Sequence, residues 1–180
     1  MTAAEWAEKI SENRGKLIGI PYKKLDCQAF VEYCLQKYAG ISKNWRGSND
    51  MWRNAVHDKL ADFGSIEAGE WVFTIKNDGK EPERYTDGVN AAHVGIYIGN
   101  GEVMHSTTGG VQLDKITSKR WTHHAKSNCL DYAADVETKE NSCNDLYSDL
   151  VALVNMEVTT DECIRYFDAC ESRIYGRTDW

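Results

Sequence analysis

Prolines are almost missing from this chain: two in 180 residues, which excludes a Pro-rich linker. No apolar run approaches the roughly 20 residues that a membrane-spanning helix needs, so membrane insertion is not expected. The opening Met1-Thr-Ala-Ala-Glu-Trp6 has neither a basic n-region nor an apolar h-region. The chain is therefore expected to be synthesised in the cytoplasm and to meet any outside substrate only after release. Six cysteines stand at positions 27, 34, 129, 143, 163 and 170, and no two form a CxxC pair. That spacing gives no support to a zinc ribbon or a thioredoxin motif. With no export signal the default state is free thiols. Internal repeats and low-complexity segments are also lacking. No cofactor, metal or nucleic-acid partner is expected.

What is present is an ordinary globular composition with an uneven charge. Hydrophobic residues make up 42% and charged residues 27%, enough for one domain with a proper core plus an appendage. The net charge of −7 is concentrated at one end. Residues 131–180 carry 12 acidic and 4 basic side chains, a net of −8, whereas residues 1–130 balance to +1. Pattern and charge break together, and the expected division is a domain over 1–135 and an acidic two-helix extension over 136–180. In the extension, Ser142 or Asn144 is a candidate cap for a helix with Leu146, Leu150 and Leu153 on one face. Thr159 or Thr160 is a candidate cap for another, with Cys163, Ile164, Phe167, Cys170 and Ile174 as its stripe. About 45 residues of helical hairpin cannot bury a core alone. They are expected to dock on the rest of the chain or, as the favoured alternative, on a second copy in a homodimer.

The most informative stretch is His93-Val-Gly-Ile-Tyr-Ile-Gly-Asn-Gly-Glu-Val-Met-His105-Ser-Thr. Two strand-like runs flank Asn100-Gly101, a strong hairpin signal. A strict two-residue turn would pair Gly99 with Glu102 and send the two histidines to opposite faces. A three-residue loop, a type I turn with Gly101 left-handed in a bulge, pairs Ile98 with Glu102 instead. His105 then lies opposite Gly95, on the same face as His93. That register puts Val94, Ile96, Ile98 and Met104 on one apolar face, and His93, Gly95, Tyr97, Val103, His105 and Thr107 on the other. The clean split selects it. Two imidazoles on one strand face suit metal ligands, a base with its orienting partner, or half-buried structural histidines.

Upstream, Thr2 caps a helix expected to run to about Asn13, with Trp6 and Ile10 on one face. Gly15, Gly19 and Pro21 then read as loop. Asp26 is a good N-cap for a helix whose face is Phe30, Val31, Cys34, Leu35 and Tyr38 and which ends before Gly40. Cys27 sits in its first turn, where unpaired N–H groups and the positive end of the helix dipole favour a thiolate and can receive an oxyanion. The structural alternative is a buried first-turn cysteine. Cys34, two turns on, has neither benefit and reads as core. Residues 41–68 read as loop with a short helix near Ser48–Val56 and a turn at Gly64, and His57 as surface. Glu70–Ile75 reads as a strand, and Asn77–Asn90 as a long polar loop suited to a lid or substrate wall. Gly109-Gly110 turn into a strand at Val111–Leu113, and Cys129–Tyr132 is expected as a last strand. His123 and His124 read as surface loop.

A helix-start Cys followed by two strand-borne imidazoles fits thiol acyl transfer. That chemistry needs a nucleophile (Cys27), an imidazole that holds and returns its proton (His93), and a group that orients this imidazole (His105). The arrangement is papain-like. The residues resemble the NlpC/P60 family of cell-wall peptidases over roughly residues 15–130. The matching pieces are Gly19-Ile-Pro-Tyr22, Asp26-Cys27 followed by Ala29-Phe-Val31, Ala68-Gly-Glu-Trp-Val-Phe73, and the hairpin with Met104-His105-Ser106. The resemblance implies an α+β, papain-like fold, an antiparallel sheet packed on the Cys-bearing helix. It implies catalysis by Cys27, His93 and His105, with Tyr22 on the oxyanion side of the cleft. The implied substrate is the peptidoglycan stem peptide, commonly cut between D-glutamate and the diamino acid.

Two departures fall where such enzymes grip the stem peptide's free end. Lys23-Lys-Leu-Asp26 replaces the usual Trp-Gly-Gly type of segment, and Gln28-Ala29 replaces Ser-Gly after the cysteine. Gln28 is thereby a candidate substrate-binding residue. The expected biological setting is a phage or prophage lytic enzyme or a tail-associated one. The competing readings are an amidase of the related CHAP type, a non-catalytic wall-peptide binding module, and a zinc site built from His93, His105 and a cysteine.

Overall fold

The computed structural model describes residues 1–132, which form one unit, Met1–Tyr132. The boundary at 135, the two expected helices beyond it and a dimer formed through them fall outside the described residues.

Chain entry is set by a capping box. Thr2 Oγ1 accepts from the Glu5 N–H at 3.2 Å, and the Glu5 carboxylate accepts from the Thr2 N–H at 2.9 Å. Two of the orphan donors at the helix start are thus satisfied. Helix α1 (Ala3–Glu12) follows and buries Trp6 and Ile10. The Trp6 indole N–H donates to the Cys34 carbonyl at 3.0 Å, so burying the ring leaves no polar atom unpaired. The expected loop after α1 holds one more turn, α2 (Arg14–Leu17), which tucks Leu17 into the core. Helix α3 (Cys27–Cys34) starts where Asp26 predicts and runs on through a π-helical turn, Leu35–Ala39. Gly40, left-handed at φ 73°, ends it. Helix α4 (Ser48–Asn54) is the last α-helix among the described residues, and a 3-10 turn follows at Phe63–Ser65.

The sheet has six strands: β1 (Val56–Leu60), β2 (Trp71–Lys76), β3 (Asn90–Tyr97), β4 (Glu102–Thr107), β5 (Gly110–Lys115) and β6 (His123–Ser127). Their order is β1-β6-β2-β3-β4-β5, and every neighbouring pair is antiparallel. The fold class is the expected one, α+β with an antiparallel sheet against the Cys-bearing helix. Trp6, Ile10, Phe30, Val31, Leu35, Met51, Trp71, Phe73, Val94, Ile96 and Met104 are fully buried in one cluster between helices and sheet. At about 1.5–3 kcal/mol per large apolar side chain, this face is the main source of stability. The opposite face carries a smaller cluster of Val72, Val103 and Trp121.

The hairpin has the expected register. Ile96 pairs with Met104 and Tyr97 with Val103, and the Ile98 N–H donates to the Glu102 carbonyl at 3.0 Å. Its turn differs from expectation. Gly99, Asn100 and Gly101 all have positive φ, at 87°, 53° and 74°, whereas a type I turn needs negative values at its first two positions. Glycines at both ends let the chain take the left-handed path, whose twist matches that of the strands.

Three expectations are corrected. The segment around His57 is not loop but the edge strand β1, and its imidazole is half-buried 2.8 Å from Asn128 Oδ1. The His123-His124 segment is not surface loop but the inner strand β6, between β1 and β2. The reason is polar pairing across the sheet: His124 is 1% exposed and its Nδ1 meets the carboxylate of Glu70, itself 2% exposed. Cys129–Tyr132 is no strand. It is a turn whose Tyr132 hydroxyl accepts from the Ser127 N–H at 2.8 Å and donates to the Gly69 carbonyl at 3.3 Å.

Burial alone would lower the His124 pKa, but its contacts with Glu70 and with the Asp62 carbonyl at 2.7 Å outweigh burial and raise it. The stability gained from the charged imidazole is complete below its unfolded pKa of about 6.5 and is lost as pH rises through the higher folded value. Glu70→Leu, which strands that charge in the interior, should cost about 3–5 kcal/mol in urea unfolding at neutral pH. Glu70→Leu combined with His124→Leu should recover most of the loss. Equal instability of the single and double variants would show that packing, not the pair, is what matters there.

Candidate active site

The start of α3 is held from both sides. Asp26 accepts from the Ala29 N–H at 2.8 Å, and the buried Ser106 hydroxyl of β4 donates to the Leu25 carbonyl at 2.5 Å. The preceding segment is pinned to β5, since the Gly19 N–H donates to the Val111 carbonyl at 2.8 Å and the Val111 N–H to that of Ile20 at 2.9 Å. Cys27 therefore occupies a fixed place in the first helical turn and is 9% exposed. The backbone N–H groups of Val94, Gln28 and Cys27 itself act to lower the thiol pKa. The Val94 donor belongs to the peptide that follows His93, so the thiol sits beside that point of β3.

Those donors do not make a thiolate in the resting site. Burial pushes the Cys27 thiol above its ordinary pKa, the nearby Asp26 carboxylate adds to the rise, and the N–H groups only partly offset them. The helix-start argument predicted a lowered value. Its donors are present, but loss of water is the larger effect. Cys34 is fully buried and pushed up more strongly still, as expected of a core residue.

The two imidazoles meet as the register requires. His93 Nε2 lies 2.8 Å from His105 Nδ1. Trp121 holds both rings, stacked on His93 at 5.7 Å and 21° and edge-on to His105 at 5.0 Å and 83°. Gly95 provides the space between them. A β-carbon there would lie 2.8 Å from Val103 Cγ1, 3.0 Å from His105 Cβ and 3.0 Å from the Trp121 ring. Burial draws the His93 pKa down to about 3, and the neighbouring His105 and Arg120 charges act in the same direction. Burial likewise lowers His105, against the opposing pull of Asp114. Both rings are neutral at neutral pH.

Beyond His105 the chain of contacts continues. His105 Nε2 lies 3.1 Å from Asp114 Oδ2, and Arg120 Nε lies 3.2 Å from the same oxygen. Asp114, Arg120 and Trp121 escaped the sequence reading. A signal existed: in Val111-Gln112-Leu113-Asp114 polar residues alternate with apolar ones, and the strand extends to Lys115 instead of ending at Leu113. Asp114 is in register with Val103, two residues before His105 and on its face.

The substrate-side candidates are split. Tyr22 is 36% exposed, and its phenol pKa is raised by burial and then by the charges of Cys27 and Asp26, which puts it electrically next to the thiol. Gln28 is hydrogen-bonded within the chain. Its amide donates to Glu32 Oε1 at 2.7 Å and to the Trp45 carbonyl at 2.6 Å, while the Trp45 N–H donates to the same Glu32 oxygen at 2.6 Å. The 77–89 loop is braced on α4. Arg53 clamps Asp87 at 2.5 and 2.9 Å, donates to the Val89 carbonyl at 2.6 Å, and lies 4.0 Å above the Tyr85 ring. For the zinc reading, no group of three or more His, Cys, Asp or Glu placed to hold a metal ion occurs among the described residues.

Glycine to alanine inside a strand ordinarily stabilises, because glycine loses more chain entropy on folding. At Gly95 the sign should reverse. Gly95→Ala should lose about 1–3 kcal/mol in chemical denaturation through overpacking against Val103, His105 and Trp121. A neutral or stabilising result would mean the face has room that the distances deny.

The NlpC/P60 family model matches residues 14–129. The probable peptidoglycan endopeptidase LytE of Bacillus subtilis (strain 168) is 26% identical over 120 residues, 63% of this chain and 31% of LytE. The probable endopeptidase NlpC homolog of Haemophilus influenzae is 27% identical over 109 residues, 60% of this chain and 50% of that protein. The chain spans half or less of the length of either relative. In fold, it is similar to the P60 domain of the M. avium subspecies paratuberculosis antigen MAP1204, with a TM-score of 0.50 at 17% identity, over 72% of this chain and 98% of that one. With its sheet, its helix-start cysteine and its paired imidazoles inside a match that covers well over half of its length, the chain belongs to the NlpC/P60 family.

Proposed function

We propose that the protein is a cysteine peptidase that hydrolyses an amide bond in the peptidoglycan stem peptide, specifically the γ-D-glutamyl–diamino acid bond. The observation that carries the reading is the 2.8 Å contact between His93 Nε2 and His105 Nδ1, in a domain whose Cys27 heads a capped helix. The family, and relatives named as endopeptidases, supply the substrate class.

The chemistry follows from a neutral resting pair. As the Cys27 sulfur attacks the scissile carbonyl carbon, its proton passes to His93 Nδ1, so charge separates only when substrate is present. The oxyanion is received by N–H groups at the α3 start, with the Tyr22 hydroxyl on the same side. Collapse breaks the C–N bond, His93 returns the proton to the departing amine, and a thioester remains on Cys27. Water then gives its proton to His93 and its hydroxyl to the thioester carbonyl, which releases the carboxylate and restores the thiol. His105 holds the His93 ring throughout. Gln28, the other substrate-side candidate, follows the nucleophile in the first turn of α3 and is bonded to Glu32 and the Trp45 carbonyl.

Cys27→Ala should fold as the wild type and lose turnover of purified peptidoglycan by several orders of magnitude. His93→Ala should cost more than His105→Asn, because an amide can still bond the imidazole. Mass spectrometry of the digest should show a new amine on the diamino acid. Release of a free L-alanine amine from the lactyl carboxyl would indicate the amidase alternative, and an undigested wall with tight binding would indicate a binding module.

The pH profile supplies a second test. A base is lost when it is protonated, and His93 is drawn down to about 3. On a soluble stem peptide, kcat/KM should hold its plateau well below pH 6.5 as far as the fold survives. An acid limb at an ordinary imidazole value would show that the free enzyme carries a charged His93.

A further inference from the structure

The mechanism needs the proton on one particular nitrogen of each imidazole, and nothing in the Cys27–His93–His105 set decides which. His93 must carry its proton on Nε2 so that Nδ1 is a bare lone pair. His93 Nε2 can be the donor only if His105 Nδ1 is the acceptor, and a neutral His105 with a bare Nδ1 must carry its proton on Nε2. We propose that Asp114, held by Arg120, is the positioning residue that sets both tautomers. This rests on the reading of His93 as base. A carboxylate oxygen is acceptor-only, and Asp114 Oδ2 lies 3.1 Å from His105 Nε2, off the line of a formed hydrogen bond but close enough that its charge opposes a bare lone pair there. It favours the tautomer with the proton on that nitrogen. The choice passes across the 2.8 Å contact to His93.

Arg120 has a distinct part. A carboxylate beside a buried imidazole also favours the imidazolium, and an imidazolium at His105 would be harmful. Its Nδ1 would then donate to His93 Nε2, leaving the His93 proton on Nδ1, where the base must be bare. Arg120 Nε, 3.2 Å from the shared Asp114 oxygen, offsets the carboxylate charge while leaving its acceptor lone pairs in place. The charged or titratable groups around the pair are Asp114 on β5, Arg120 on the segment before β6, the Cys27 thiol on α3, and the two imidazoles on β3 and β4. Orientation comes from the anion, and the cation paired with it adds to the burial that keeps His105 neutral.

The test begins on the unaltered protein. Nitrogen-15 NMR of histidine-labelled wild type should find both His93 and His105 protonated at Nε2 and bare at Nδ1. The opposite tautomer on either ring overturns the proposal. Asp114→Ala should mix the tautomers and lower kcat about 10–100-fold with little change in KM, and Asp114→Asn, which keeps an acceptor oxygen, should restore part of the loss. Arg120→Leu should move the acid limb of kcat to higher pH. Unchanged tautomers and kcat in Asp114→Ala, or an unmoved limb in Arg120→Leu, overturn it. If the tautomers respond as stated while wild-type protein hydrolyses no stem peptide, the positioning role stands and the proposed function fails.

Discussion

The site depends on one register. His93 and His105 share a face, 2.8 Å apart, because Ile96 pairs with Met104 and Tyr97 with Val103. A slip of one residue would rotate every side chain of β4 to the other face of the sheet. His105 would enter the apolar core and Met104 would meet solvent-side polar groups. The core prevents that slip, since Val94, Ile96 and Met104 are fully buried together. The same packing that stabilises the domain thus fixes the catalytic candidates. Gly95 is the local concession, giving up side-chain packing so that two rings and Trp121 fit in one layer.

Much of this was legible in the sequence, and the legible parts share a cause. Asn100-Gly101 and the alternation around it, Thr2 with Glu5, and Asp26 ahead of Cys27 are all local signals, each complete within a few residues. The register followed because a three-residue loop and a two-residue loop predict opposite faces for the histidines. The turn conformation did not follow, because two glycines flanking Asn100 accept either hand. What escaped was non-local. Strand β6 has no apolar alternation to announce it, and its burial depends on Glu70, 54 residues earlier. Asp114 was hidden by ending β5 too soon. The pKa direction of Cys27 was missed because helix-end electrostatics can be read from a sequence and burial cannot.

The two buried histidine–carboxylate contacts show how geometry decides charge. His124 has an acceptor at each ring nitrogen, the Glu70 carboxylate at Nδ1 and the Asp62 carbonyl at Nε2. Both nitrogens are best satisfied as N–H donors, which only the imidazolium provides, and the pKa is raised despite burial. His105 has a carboxylate at one nitrogen and another imidazole at the other. That second ring can donate, so a neutral His105 can accept at Nδ1, and burial lowers its pKa, with Arg120 acting in the same direction against the pull of Asp114. One sheet therefore holds a histidine whose pKa is raised where it ties strands together and one whose pKa is lowered beside His93. The difference between them lies in what faces the opposite nitrogen and in the guanidinium beside the carboxylate of one pair.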